Sequence, residues 1–188
     1  MKALSIAAAV GLLISAGSPA LAAGLDDAVM AELNFARTHP SDYARELRET
    51  DDVGAEDPEA VDEAIAFLRR QSPLPPLRSD NRLAAAAMAH TAIQGPQGRV
   101  GHDGSGGLGP RLQRHGVWAG LAAENISYGY RDPRDVIRQL VVDSGVPGRG
   151  HRTNIFGRAF QAAGVACGPH SVYGSMCVID FAGAEVKR

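Results

Sequence analysis

Gly150-His151-Arg152-Thr153-Asn154-Ile155 is the stretch on which the reading of this chain turns. Glycines at 145, 148 and 150 lead into it, so the backbone is free to turn sharply and to hold the His151 imidazole at a cleft instead of in a core. Two further pieces lie upstream: Val100-Gly101-His102-Asp103-Gly104, then Ala123-Glu124-Asn125-Ile126. Two neutral imidazoles and a carboxylate suit a borderline divalent ion such as zinc, or acid-base chemistry near neutral pH. Spacing alone does not gather them. They lie far apart in sequence, with nothing like the His-Glu-x-x-His turn that places two ligands on one helical face.

Downstream of the central stretch, Ala163 to Cys167 and Met176 to Phe181 read as two apolar strands joined by a polar connection. A hairpin sets Cys167 and Cys177 nearly opposite each other, and in an exported chain that argues for a disulfide over two buried free thiols. Upstream, Leu25, Val29, Leu33 and Ala36 predict a helix over about Asp26 to Thr38, bounded by Pro40, on which Asn34 and Arg37 read as structural. Arg45 to Pro58 reads as a solvated acidic connection with room for another partial turn, without the spacing of a calcium loop. Asp57-Pro58 opens a helix with Val61, Ile65 and Leu68 on its buried side, stopping before the prolines at 73, 75 and 76. Ser79 is expected to cap the next helix, which ends at about Gln94 with Gly95 beyond it and carries His90 on its apolar side as a core residue. A glycine-rich loop, Gly95 to Gly109, then presents His102. A short helix over about Pro110 to His115 and another opening at Asp132-Pro133 follow, the latter with Val136, Ile137, Leu140 and Val141 against a sheet. Helices interspersed with a few mostly antiparallel strands predict an α+β fold.

The first residues have the form of a signal peptide: Met1-Lys2, an apolar run from Ala3 to Gly17 too short to span a bilayer, and Ala20-Leu21-Ala22 as a cleavage site. Residues 1–23 are therefore expected to be removed, leaving 24–188 as a single exported domain, periplasmic or extracellular, without a transmembrane anchor. Net charge is −2 for the whole chain, and no basic run or aromatic platform stands out, which speaks against a nucleic-acid partner. Lys2 and Lys187 are the only lysines; codon preference accounts for so many arginines better than a guanidinium-based binding role does. Ser105 and Ser127 lack a nucleophile-elbow context, and Trp118 reads as packing near the cleft edge.

The three pieces around His102, Glu124 and His151, in this order, resemble the CAP superfamily, which includes cysteine-rich secretory proteins, antigen 5 and plant pathogenesis-related proteins; bacterial single-domain members are the most similar. The resemblance implies a three-layer α-β-α sandwich around a small, mostly antiparallel sheet. It also implies a central cleft where two histidines and two acids meet and where several members bind a divalent cation. His102 matches the first histidine, Glu124 the glutamate of Glu-Asn-Ile, and His151 the second histidine. The second acid departs from the pattern. The tryptophan that normally precedes it is replaced by Leu140, and counting three residues on reaches Asp143, one methylene shorter than glutamate and followed by an apparent insertion at 146–149. Asn125 and Asn154 are expected to tie down backbone beside the site.

The function expected on this basis is non-enzymatic binding. His102 and His151 are the metal ligands, with Glu124 and Asp143 in the same cleft; the cation is zinc or magnesium, and a small or lipid-like molecule lies beside it. The alternative is a metal-assisted hydrolase, a protease or cell-wall hydrolase, with Glu124 or Asp143 as base.

Overall fold

The computed structural model describes residues 24–50, 56–104 and 106–184; the leader expected at 1–23 lies outside them. Helix α1, Leu25–Thr38, buries Val29, Leu33 and Ala36 along one side. Pro40 closes α1 and at once opens α2, Pro40–Glu49, so the polar stretch from Arg45 is helical as far as Glu49 and not merely a connection. A proline at the first helical position lacks only a donor that would go unused there, which is why it starts a helix as readily as it stops one. Tyr43, Ala44 and Leu47 of α2 pack into the same core as α3, Pro58–Arg70, whose N-terminus is capped by Asp57.

Strand β1 is the two-residue Arg78–Ser79, and the cap of α4, Asn81–Gln97, is Asp80 instead of Ser79. The Asp80 carboxylate accepts from Arg82 N at 2.9 Å, a charge-assisted bond that a serine hydroxyl would not match. Helix α4 also runs past Gly95 to a left-handed cap at Gly98. Gly95 marks a close approach, not a helix end: a Cβ there would lie 2.3 Å from Pro169 O. Next come α5, Leu108–Arg114; β2, Ala122–Tyr128; α6, Pro133–Val142, capped by Asp132; and α7, Gly150–Ile155. The central stretch is therefore one short helix, entered through a 3₁₀ turn at Pro147–Arg149, where the glycines had suggested an open turn.

Strands β3, Ala162–Gly168, and β4, Met176–Ala182, form the expected hairpin, with Cys167 directly opposite Cys177 and bridged to it. The sheet order is β1-β3-β4-β2, with β1 parallel to β3 and the other pairs antiparallel. Helix α4 covers one face, meeting Ala162, Ala166, Val178 and Ala182; α1 and α6 cover the other, meeting Ala163, Val165, Ile179 and Phe181. The result is the α-β-α sandwich implied by the resemblance. Gly164 lets α4 lie against β3, since a Cβ there would come within 2.0 Å of Ala84 N. Strand β2 gave no clear alternation in sequence because Glu124 to Ser127 are buried on both faces.

Buried arginines close off backbone ends. Arg37 donates to Pro75 O and Ile155 O, and Arg152 donates to Val141 O at 2.6 Å and Val142 O at 2.9 Å, the last carbonyls of α6. Asn34 joins α1 to Leu77 through both its amide groups. Among the described residues, no helix is long and apolar enough to cross a membrane.

Candidate functional site

Strand β2 lies at the edge of the sheet, and a cleft of about 420 Å³ runs beside it. Ile126 and Tyr128 of β2, Gln139, Leu140 and Asp143 at the end of α6, His151 of α7 and His102 of the α4–α5 loop line it. The two histidines thus reach one cleft from different elements, and each is held there by its own carboxylate.

His102 Nδ1 meets Glu124 Oε1 at 2.7 Å, and this bond raises the imidazole pKa above its ordinary value. The other Glu124 oxygen accepts from Arg111 Nη2. Arg111, fully buried on α5, also donates to Asp180 Oδ1 at 3.1 Å and to His90 Nδ1 at 2.9 Å. His90 Nε2 then lies 3.1 Å from Gly101 O, so the ring is the neutral tautomer that accepts at Nδ1 and donates at Nε2; burial lowers its pKa. The core histidine thereby anchors the backbone that carries His102.

Asp180 stands in the middle of β4, opposite Glu124 on one side and Gly164 on the other, and is fully buried. One guanidinium faces two carboxylates, so full ionisation would leave an uncompensated negative charge in the interior. Desolvation, with Glu124 beside it, outweighs Arg111 and pushes the Asp180 carboxyl up to about 8. Burial beside Glu124 therefore favours the protonated form of Asp180.

On the other wall, His151 Nδ1 meets Asp143 Oδ1 at 2.6 Å, and His151 N donates to Asp143 Oδ2 at 2.9 Å. Asp143 caps α6 in the left-handed region at φ 55°, a conformation Asp tolerates better than most residues. That geometry turns the short side chain toward α7, so the missing methylene does not keep it from the histidine. Asn125 Nδ2 donates to His151 O at 3.0 Å, and Asn125 Oδ1 accepts from Asn154 Nδ2 at 2.8 Å, so Asn125 fixes backbone at the site while Asn154, expected to do the same, holds the Asn125 side chain instead. Trp118 lies away from this cleft, in a shallow depression with Leu112 and Val117.

The donor set bears on a cation. Each imidazole spends Nδ1 on a carboxylate and keeps Nε2, the arrangement in which an outer carboxylate orients a metal-binding histidine. Both oxygens of Glu124 and of Asp143 are taken, and no group of three or more His, Cys, Asp or Glu residues suited to a metal occurs among the described residues. From this set a cation in the cleft would have only the Nε2 atoms of His102 and His151 as donors. Nitrogen donors suit zinc; magnesium takes oxygen.

The sequence model of CAP, the cysteine-rich secretory protein family, matches residues 63–181. The chain belongs to this family. Similar solved structures include an extracellular protein containing an SCP domain from Bacillus anthracis, 28% identical with a TM-score of 0.50; the match covers 59% of this chain and 35% of that one. An outer surface protein from Borrelia burgdorferi is 16% identical with a TM-score of 0.49, over 66% of this chain and 86% of that one. A cysteine-rich secretory protein from Staphylococcus aureus is 16% identical with a TM-score of 0.45, over 72% and 42%. No curated protein matches the chain. The CAP chain spans only about a third of the length of its Bacillus neighbour.

Sequence reasoning did not single out Arg111 or the buried Asp180. An acid inside the apolar run Cys177-Val178-Ile179-Asp180-Phe181 was the available signal for the second; Arg111 carried none, because a short helix does not reveal its buried side.

Proposed function

We propose that this CAP chain is an exported binding protein whose cleft holds a zinc-like cation through Nε2 of His102 and His151, with a small, partly apolar or lipid-like ligand beside it. The observation that carries the reading is the pair of carboxylate-oriented imidazoles lining one cleft. Ile126, Leu140 and Val146 supply the apolar part of the wall, with Tyr128 and Tyr130. Export is supported by the disulfide, by the signal-peptide pattern of the first residues, and by the extracellular description of the Bacillus anthracis neighbour.

A hydrolase of the kind weighed above, with Glu124 or Asp143 as base, needs one of these carboxylates to take a proton from water. Glu124 and Asp143 have both oxygens committed to partners, which favours binding over hydrolysis. Titration calorimetry of zinc and of magnesium into the mature chain tests the proposal. One zinc per chain is expected, with weak or no magnesium binding, and loss of the zinc site in the His102→Ala, His151→Ala double variant. Identical isotherms for variant and parent would end it.

A further inference from the structure

Six large apolar side chains are exposed among the described residues: Met88, Ile93, Val100, Leu121, Val172 and Tyr173. Three of them, Val100, Val172 and Tyr173, sit on two loops that the fold brings together at the mouth of the cleft, and they are 58%, 68% and 52% exposed. The contacts joining the loops are specific. A Cβ on Gly98 would come within 2.7 Å of Val172, and His170 Nε2 donates to Arg99 O at 2.9 Å. Gly101 N donates to Tyr128 Oη at 3.0 Å, and the Tyr128 ring lies 5.5 Å from that of Tyr173. Buried His170 accepts at Nδ1 from Val172 N and Tyr173 N, so the loop that exposes these side chains is itself built around a satisfied imidazole and closed by the disulfide. The exposure belongs to the native architecture.

Two cations flank this patch. Arg99 is exposed and, among the described residues, its backbone N donates to Gln94 O and its carbonyl accepts from His170; Arg131 is exposed and donates to Gly174 O at 3.1 Å, on the Tyr173 loop. The nearby acids are Asp103, exposed on the His102 loop, Asp132, whose carboxylate accepts from Arg134 N as a helix cap, and Asp26, whose carboxylate accepts from Cys167 N at 2.8 Å. Apolar tips framed by guanidinium groups fit the boundary of an anionic bilayer, where side chains enter the acyl region and arginines stay with the headgroups. Three side chains are too few for the roughly 800 Å² per partner of a stable protein interface.

We infer that this corner docks the protein onto an anionic lipid surface. Gly101 and Tyr128 belong both to this corner and to the cleft lining, so docking sets the cleft mouth against the lipid. The inference goes beyond the proposed function and stands without the cation.

Cosedimentation of the mature chain with vesicles tests it, comparing phosphatidylglycerol and phosphatidylcholine in equal parts with phosphatidylcholine alone. Binding to the anionic vesicles is expected to be about tenfold stronger at low salt and to fade at about 0.5 M salt. Arg99→Gln should weaken it about fivefold, as should Val100→Ser combined with Val172→Ser, in variants whose urea unfolding and zinc isotherms match the parent. Equal binding to both vesicle types, or variants that bind like the parent, would overturn the inference. So would a Val172-dependent dimer in sedimentation velocity, which would assign the patch to a second copy of the chain. The matched zinc isotherms keep a failure here separate from a failure of the cleft reading.

Discussion

Asp180→Asn probes the buried charge arrangement on which the His102 side of the cleft rests. With its carboxyl pushed up to about 8, Asp180 keeps its proton in the folded protein at a pH where the unfolded chain has lost it. From about pH 4 to about pH 8 the folded state therefore binds more protons, and stability from this group falls as pH rises, by about 1.4 kcal/mol per unit. Between pH 5 and pH 7 that amounts to about 3 kcal/mol. Asparagine resembles the protonated acid in shape and can donate to Glu124 in its place, but it does not titrate. The stability of Asp180→Asn relative to the parent should rise steadily over this window and level off above about pH 8, any constant offset from the substitution dropping out. Urea unfolding at half-unit pH steps, disulfide intact, measures the difference. A difference flat from pH 5 to 8 would refute the reasoning: it would mean that Asp180 is ionised and paired with Arg111 throughout. In that case the substitution should instead cost about 3–5 kcal/mol at every pH.

Asp143→Asn keeps a residue that tolerates the left-handed cap but removes the anionic acceptor of His151 Nδ1, so zinc affinity by calorimetry should fall about 10- to 100-fold with the fold retained. Removing the disulfide as Cys167→Ala, Cys177→Ala opens a short loop and should lower unfolding free energy by about 3 kcal/mol in urea titrations. Gly164→Ala places a methyl group against the backbone of Leu83 and Ala84, which cannot move aside as a side chain can; a loss of about 3 kcal/mol is expected by the same measurement.

The helices with a clear apolar stripe and a cap were legible in the chain, as were the terminal hairpin and its disulfide, because each depends on residues close in sequence. The misreadings fall where one residue type serves two purposes. Pro40 ends one helix and begins the next, and Gly95 looked like a helix terminus while its role is to make room for Pro169. The pairing of His102 with Glu124 could not be read from spacing; the family resemblance supplied the residues but not their partners.

What the chain alone determined is local: where helices start, which faces are apolar, and that two cysteines close a hairpin. Tertiary structure decided which charges meet. Arg111, Glu124 and Asp180 come from a helix and two strands and meet only when α5 packs beside the sheet, while Asp143 reaches His151 through the left-handed turn that ends α6. Burial and electrostatic pairing depend on distances through space, and these arise only once the layers are packed.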